Sequence, residues 1–431
     1  MTTLHLEEIA ESTTARGFWT RSRKAGALFV VLGLAAAVVF GYLSPGGLWP
    51  FGVLPPEEVA RFSLVGGELA VPLPARPAAI GFGLVTAAAG VLLLTRVASS
   101  RLGLVTGIAL VAFVMSFLCW QVAGEFMPLV AMASGTLFLA LPLIFGSLSG
   151  VLCERAGVIN IGIEGQFLMG AFAGAMFATL TGSPWVGLLA AAFGGLLIAS
   201  LLGVFAIRYL VDQIVLGVVL VVLAVGVTGF LYERLMQPYQ ESLNKPPGFG
   251  KIAIPLLSDI PLIGPVLFDA NVIVYLAFAL VVVVHLSLFH TRWGMRVRAV
   301  GEHPTAADTV GINVRRVRYL SVLAGGLVAG IGGASFTLGS GLQFTKVMTD
   351  GKGFIALAAM IFGRYSPTGA LAAAVLFGFA DQLQIYLSGI GSEIPSQFLA
   401  MAPYIATILA VAGLVGRVRP PAADGKPYVK G

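Results

Sequence analysis

Long stretches without charged residues restrict this chain more than any other feature of its sequence. Residues 25–43, 213–231 and 271–289 each run for about 19 residues without Asp, Glu, Lys or Arg. At a rise of about 1.5 Å per residue, a helix of that length crosses a hydrocarbon core of about 30 Å. The chain is 58% hydrophobic and 11% charged, whereas an average soluble domain has about 25% charged residues. The sequence therefore predicts an all-α polytopic membrane protein.

Apolar runs of similar length mark the candidate spans. These are residues 25–43, 78–95, 103–123, 128–149, 166–182, 184–206, 213–231, 271–289, 319–338, 367–386 and 398–415. A shorter apolar segment, 353–363, brings the total to about twelve if it crosses or half-crosses the membrane within protein, where irregular backbone is tolerated. An even number of spans places both termini on the same side.

The distribution of basic residues predicts which side that is. The loop 290–318 carries six arginines, whereas the longer segment 232–270 carries three basic residues in all. Positive residues collect in cytoplasmic loops. We therefore expect the loop 290–318, the N-terminal tail 1–24 and the C-terminal tail 419–431 to be cytoplasmic, in a multi-pass protein of the cell membrane. The same rule accounts for the net charge of +6, so we do not expect nucleic-acid binding.

The sequence contains no pattern typical of an enzyme or a metal site. Cys119 and Cys153 lie in or beside apolar segments, and the four histidines lack the spacing of zinc ligands. A G-x-x-x-x-G-K-[ST] phosphate loop does not occur, because Lys352 between Gly351 and Gly353 lacks the required spacing. We expect no catalytic residues, no metal and no ATP hydrolysis in this chain.

One polar stretch interrupts the most apolar part of the chain. Residues 151–175 read VLCERAGVINIGIEGQFLMGAFAGA and contain Glu154, Arg155, Asn160 and Glu164. The first two follow a span and are expected at its cytoplasmic end, where they can pair or reach water. The glycines around Asn160 favour a broken or re-entrant segment, and transporters build polar sites from such segments.

An intramembrane carboxylate is a functional hypothesis by default. We expect Asn160, Glu164, Gln166 and Gln343 to line a substrate pathway, with Asn160 and Glu164 as its main polar groups. The alternative for Glu164 is a structural one, in which it locks its own loop by accepting hydrogen bonds from exposed amides. The sequence gives the two roles equal weight.

The basic loop carries the signals of a short helix. Pro304 fits the first helical position, where its missing N–H is not needed. The run PTAADTV then gives about two turns before Gly311 supplies a stop. The alternative is an ordinary positive-inside loop.

Three strings identify a family resemblance. The first is similar to the coupling loop of ABC importer permeases for simple sugars and nucleosides, "G-x-x-x-R-A-V-G-x-x-x-x-A-A-x-x-x-G-I-N-V". Its matches are Gly294, Arg298, Ala299, Val300, Gly301, Ala306, Ala307, Gly311, Ile312, Asn313 and Val314. Residues 154–171 resemble the "E-R-x-G-V-x-N-I-G-x-E-G-x-x-L-M-G-A" segment of the nucleoside branch, and residues 348–384 resemble the segment after the coupling loop. The strings occur in family order, and the resemblance covers about residues 128–415.

The resemblance implies a permease subunit of an ATP-driven ABC importer that forms a path for nucleosides or simple sugars. A separate ABC ATPase, which would bind ATP and magnesium, would dock on the coupling loop 290–318. The residues expected to couple to it are Gly301, Glu302, Pro304, Ala306, Ala307, Asp308, Gly311 and Asn313. The other implied partners are a second permease subunit or a copy of this chain, an extracytoplasmic substrate-binding protein and membrane lipid.

The resemblance also implies a domain organisation. The family's usual ten-span core corresponds to residues 101–418, with the coupling loop inside it. Residues 25–100, which hold two spans and the outer loop 44–77, are additional to that core.

Two other classes of function stay open at this stage. An ion-gradient-driven secondary transporter would use Glu164 or Asp381 as a proton-linked carboxylate. A structural or signalling membrane protein would have no transport path. Uptake that uncouplers abolish at constant ATP would indicate a secondary transporter and not an ABC importer. Accumulation of any substrate would exclude a purely structural or signalling protein.

Overall fold

The computed structural model describes residues 21–43, 59–63, 70–95, 102–339, 341–391, 395, 397–398, 401 and 419–430. These residues divide between two compact units. The first contains the described residues up to Leu129 together with 389–391, and the second contains those from Val130 to Ser388 together with 395, 397–398, 401 and 419–430.

The first unit is built on three apolar helices. These are α1 (Arg21–Ala36), α2 (Ala75–Leu94) and α3 (Leu102–Gln121), and a π-helical turn extends α1 to Tyr42. Glycines let α1 and α2 approach closely, since a Cβ on Gly90 would lie 2.6 Å from the Val30 nitrogen. Small residues serve this purpose where lipid provides no hydrophobic drive for helix association.

A small sheet accompanies these helices. Strand β1 (Val59–Ser63) pairs antiparallel with β2 (Ala70–Pro74) and parallel with β3 (Phe126–Pro128). The predicted outer loop 44–77 therefore contains two strands and the start of α2. Residues 44–58 and 64–69 of that loop lie outside the described part of the chain.

The second unit contains most of the helices. They are α4 (Leu129–Glu154), α5 (Ile163–Thr181), α6 (Pro184–Gly203), α7 (Gln213–Leu231), α8 (Gln240–Leu243), α9 (Val272–His290), α10 (Arg292–Glu302), α11 (Pro304–Thr309), α12 (Val314–Thr337), α13 (Lys352–Phe362) and α14 (Pro367–Gly389). Strands β4 (Lys251–Ala253) and β5 (Asp269–Asn271) form an antiparallel pair. The core lies between α4, α5, α12, α13 and α14, and Phe145 and Phe167 are fully buried in it.

Glycines also set the packing of α5, α6 and α12. A Cβ on Gly194 would lie 2.7 Å from the Met169 carbonyl oxygen, and one on Gly170 would overlap the backbone of Gly330. Larger side chains at these contacts would force the three helices apart. The glycine-rich runs of the sequence are therefore packing faces.

The two ends of the second unit differ in what they hold. The end that we call the α11 end carries α10, α11 and residues 419–430, and the Ala423 nitrogen there donates to the Gly301 oxygen at 2.8 Å. The opposite end carries α8 and the β4–β5 pair, and the Phe249 nitrogen donates to the Leu338 oxygen at 2.9 Å.

The helical prediction is confirmed. Within the described residues, ten helices are long and apolar enough to cross a membrane, and each corresponds to one predicted span. The predicted span 398–415 lies almost wholly outside the described residues, so the total of twelve stays a prediction. Helix α12 begins before the predicted residue 319 because the Asn313 side chain caps it, accepting from the Arg316 nitrogen at 2.9 Å.

The short apolar segment forms a half-helix. Helix α13 has 11 residues, about 16 Å at 1.5 Å per residue, which is half of a hydrocarbon core. It runs beside the second half of α4, since a Cβ on Gly150 would lie 2.6 Å from Met360 Sδ. A half-helix of this kind has one end inside the membrane span, and here the backbone N–H groups of its first turn lie there.

Candidate functional site

The polar stretch after α4 leaves that helix at a glycine. Helix α4 ends at Glu154, and Gly157 has φ +81°, in the left-handed region that favours glycine. A Cβ at residue 157 would lie 2.9 Å from Arg318 Nη2 and 3.0 Å from the Ala423 oxygen. The chain then continues without helix until α5 begins at Ile163. The predicted broken segment is confirmed, and glycine at 157 is required by both its φ and its neighbours.

Helix α5 begins beside the last turns of α4, where a Cβ on Gly150 would lie 3.6 Å from Ile163 Cδ1. A Cβ on Gly146 of α4 would lie 2.6 Å from both Phe167 of α5 and Ala356 of α13. The distance along α4 from Gly146 to its end at Glu154 is about 12 Å. The first turns of α5 and α13 therefore meet inside the apolar layer.

Two of the predicted pathway residues pair with each other there. Asn160 Nδ2 donates to Gln166 Oε1 at 3.1 Å, and Gln166 Nε2 donates to Asn160 Oδ1 at 3.2 Å. Asn160 also donates to Ser149 Oγ at 3.2 Å. Both amides are fully buried, so this reciprocal pair fixes the turn into α5 and presents no free surface to a solute.

Glu164 accepts hydrogen bonds from a distant part of the chain. Its Oε1 accepts from Thr349 Oγ1 at 2.6 Å and from the Gly351 nitrogen at 2.8 Å, while its Oε2 accepts from the Gly353 nitrogen at 2.6 Å. It is 4% exposed. An N-terminal turn leaves backbone N–H groups without partners, and here a carboxylate from α5 satisfies those that open α13. The amides it bonds belong to Gly351, the residue before α13, and to Gly353 in its first turn, whereas the structural hypothesis placed them in its own loop.

A charged pair lies next to this carboxylate. Lys352 Nζ contacts Asp381 Oδ2 at 2.6 Å, and the two side chains are 22% and 15% exposed. From Pro367 to Asp381, α14 rises about 21 Å, which places the pair deep in the span. This pair was not predicted from the sequence, although a lysine within an apolar run is itself a signal of an intramembrane site.

The fourth predicted pathway residue, Gln343, lies apart from this centre. Gln343 is exposed near the opposite end, beside Phe344, whose oxygen accepts from Asn244 Nδ2 at 2.9 Å. A further amide that was not among the predicted pathway residues, Gln213, is buried next to Asn160 and accepts from the Ile159 nitrogen at 2.8 Å. The structure therefore brings Asn160, Glu164 and Gln166 together and leaves Gln343 elsewhere.

The predicted helix of the basic loop is confirmed. Helix α11 starts with Pro304 and ends at Thr309, and Gly311 follows with φ +84°. The Gly311 nitrogen donates to the Asp308 oxygen at 2.9 Å, and Asn313 then caps α12. Proline, glycine and the cap thus define a short helix between α10 and α12.

The predicted coupling residues differ in exposure: Pro304 and Asp308 are half-buried, and Glu302, Gly311 and Asn313 are exposed. Gly301 and Ala307 are buried, and a Cβ on Gly301 would overlap the Arg155 carbonyl group. Ala306 and Val310 are exposed, Val310 to 74%. An apolar residue exposed to this extent at the end of a membrane protein is a candidate contact for a partner. Val310 was not predicted from the sequence, because only its position in the fold shows that its side chain projects outward.

Glu154 and Arg155 bond to different partners. Arg155 Nε donates to the Tyr365 oxygen at 2.8 Å, whereas Glu154, 5% exposed, hydrogen-bonds the carboxyl group of Asp424. Both residues lie at the end of the span as expected, and Arg155 is half-buried, whereas Glu154 is buried away from water. Successive side chains at a helix end point in different directions. Glu154 points toward residues 419–430, which cover its carboxyl group.

Comparisons with known proteins agree with this architecture. The profile of a family described as the permease component of branched-chain amino acid transport systems matches residues 132–415. The guanosine ABC transporter permease protein NupQ of Bacillus subtilis is 44% identical over 305 residues, 69% of this chain and 95% of that protein. The nucleoside ABC transporter permease protein NupC of Lactococcus lactis is 40% identical, covering 67% of this chain and 93% of that protein.

A more distant relative has a different solute in its name. The putative glucose ABC transporter permease protein TsgC13 of Haloferax volcanii is 35% identical over 58% of this chain and 76% of that protein. No solved structure matches the chain. The profile match covers well over half of the chain, and within it lie the half-helix, the buried polar centre and α11. This multi-pass membrane protein therefore belongs to the family of branched-chain amino acid transport system permease components.

Proposed function

We propose that this chain is the permease subunit of an ATP-driven ABC importer for nucleosides. The observation that carries the proposal is α11, a six-residue helix held at one end of the second unit with Ala306 and Val310 exposed. A docking helix needs this form, because a partner can reach its outer face while its inner face stays attached to the transmembrane helices.

The relatives support the choice of solute. NupQ and NupC are named for guanosine and nucleosides, and both match this chain at 40% identity or more. TsgC13, named for glucose, is less similar. Uptake of labelled guanosine, with competition by unlabelled nucleosides, glucose or leucine, distinguishes these classes.

The Lys352–Asp381 pair is the proposed contact for the solute. A nucleoside offers ribose hydroxyls and base donors and acceptors, which an ammonium and a carboxylate can bind between them. The pair is partly exposed within the span, whereas Asn160 and Gln166 are fully buried. Glu164 then acts by positioning Lys352 through the first turn of α13, and the pathway roles of Asn160, Gln166 and Gln343 stay predictions.

The remaining parts of the importer follow from the same proposal. The α11 end is cytoplasmic, because it carries the arginines of the loop 290–318, and both termini lie on that side. The ATPase that docks there holds ATP and magnesium, so this chain has no ATPase site of its own. A second permease subunit or a copy of this chain completes the path, and a binding protein delivers the solute to the opposite end.

Replacing Ala306 with arginine is expected to abolish recovery of the ATPase. The bulky charge would stand on the exposed face of α11 without disturbing the core. The measurement is tagging of the chain, solubilisation of native membranes in mild detergent and mass spectrometry of the co-purifying proteins, together with uptake. Ala253→Arg is the matched control, since Ala253 is an exposed alanine at the opposite end, and it should leave ATPase recovery unchanged.

A different result would identify another class of transporter. If the wild-type chain is recovered without an ATPase and transports nucleosides in vesicles without ATP, it is an ion-driven carrier. If Ala306→Arg keeps both the ATPase and uptake, the partner docks elsewhere on the chain.

A further inference from the structure

Residues 419–430 pack against the α11 end and bond to α10. Pro421, Ala423 and Tyr428 are buried. The Ala423 nitrogen donates to the Gly301 oxygen at 2.8 Å, and the Ala422 nitrogen donates to Glu302 Oε2 at 3.3 Å. Glu302 is the last residue of α10, so this contact lies directly before α11.

The same segment bonds to two transmembrane helices. Arg318 of α12, which is 2% exposed, donates through Nη1 to the Lys426 oxygen at 2.9 Å. Asp424 hydrogen-bonds Glu154 at the end of α4. Two carboxyl groups form such a bond only when one of them holds a proton, since like charges at contact repel. The segment therefore ties α4 and α12 to each other.

Tyr428 completes the connection to α11. Its ring belongs to the buried core, and its hydroxyl hydrogen-bonds the carboxylate of Asp308 on α11. Helix α11 itself buries a single residue, Ala307. A helix this short has little rigidity of its own, so its position depends on what holds it from outside.

We propose that residues 419–430 form a strap that positions α11 against α4 and α12, so that movement of a docked ATPase reaches the transmembrane helices. This inference rests on the proposed function. Without the strap, α11 would connect to those helices only through its own ends and Ala307. An ATPase could then still bind Ala306 and Val310, but part of its movement would shift α11 relative to α4 and α12 without moving those helices.

The strap is tested by the ratio of nucleoside transported to ATP hydrolysed in proteoliposomes that contain the whole transporter. Tyr428→Phe keeps the ring and deletes the hydroxyl, and we expect it to lower the ratio about fivefold, the equilibrium equivalent of one hydrogen bond. Deleting residues 421–431 should lower the ratio further. Val429→Ser is the control, because Val429 is 63% exposed, and it should match the wild type. ATPase recovery should be equal in all variants.

The outcomes separate the strap from the proposed function. If the wild type shows no ATP-dependent uptake, the proposed function fails. If the wild type is active and Tyr428→Phe transports with an unchanged ratio, the strap is overturned. Tyr428→Phe decides the question even if the deletion variant does not accumulate in the membrane.

The strap is also expected to loosen as the pH rises. Burial raises the pKa of the Asp424 carboxyl from 3.8 to about 6, whereas Glu154, the Gly425 amide and the Arg318 guanidinium act in the opposite direction. Tyr365 and Cys153 also lie close enough to interact with Asp424. Between about pH 3.8 and about pH 6, Asp424 is therefore protonated to a greater extent in the docked strap than in the released one. Docking is strongest below about pH 4, and this contribution is lost as the pH rises through about 6.

Thiol labelling measures this release. The thiol of Ala423→Cys, at a buried position, should react faster as the pH rises from about 5 to about 7.5. The rate is taken relative to that of Val429→Cys, at an exposed position, which corrects for thiol ionisation. Cys119 and Cys153 are buried and give a low background. Asp424→Asn should remove the pH dependence of the relative rate. The prediction is contradicted if the relative labelling rate does not change with pH while Asp424 is present. It is also contradicted if the rate changes equally with pH in Asp424→Asn.

Discussion

Glu164→Ala is expected to abolish uptake and to reduce the amount of folded protein. The substitution removes three hydrogen bonds and leaves the Thr349 hydroxyl and the amides of Gly351 and Gly353 without their acceptor in a buried site. A buried polar group without a partner costs about 1–3 kcal/mol, and bonds to charged groups are the stronger ones. The first turn of α13 should therefore unwind and displace Lys352.

Detergent thermal melts and uptake per folded molecule check this expectation together. Glu164→Gln keeps one acceptor oxygen but turns an NH₂ group toward a backbone donor, so it should fall between the wild type and alanine in both measurements. Glu241→Ala is the matched control, since Glu241 is exposed on α8 and pairs with the exposed Lys245. Loss of uptake with an unchanged melting midpoint would instead assign Glu164 to direct contact with the solute.

Lys352→Met is expected to have the second large effect. It would leave Asp381 without its partner deep in the span, and breaking a buried ion pair in this way costs about 3–5 kcal/mol. Because the two side chains are 22% and 15% exposed, the effect should lie toward the lower end of that range. Uptake and the yield of folded protein should both fall.

The double variant distinguishes binding of the solute from a purely structural pair. Replacing Lys352 with methionine and Asp381 with leucine removes both charges, so folded protein should return to near the wild-type amount. Uptake should stay absent if the pair contacts the nucleoside. The charge swap Lys352→Asp with Asp381→Lys should likewise fold without transporting. Recovery of uptake in the uncharged double variant would show that the pair serves only folding.

The part of the site that the sequence predicted depends on local signals. Pro304, Gly311 and Asn313 set the limits of α11 through a fixed φ, a left-handed turn and a side-chain cap, and each acts within a few residues of itself. Glycine at 157 likewise marks the break after α4. Such features can be identified from a short window of sequence because their energies arise within it.

The sequence alone determined the class of this protein. Uncharged runs long enough to cross a hydrocarbon core leave few folds besides a bundle of membrane helices, because backbone groups in lipid must be bonded internally. The tertiary structure decided what the buried charges do. Glu164 finds its donors 185 to 189 residues further along the chain, Lys352 meets Asp381, and Asp424 reaches Glu154. Residues so far apart in the sequence meet only through the packing of whole helices, and hydropathy does not indicate which helices are neighbours.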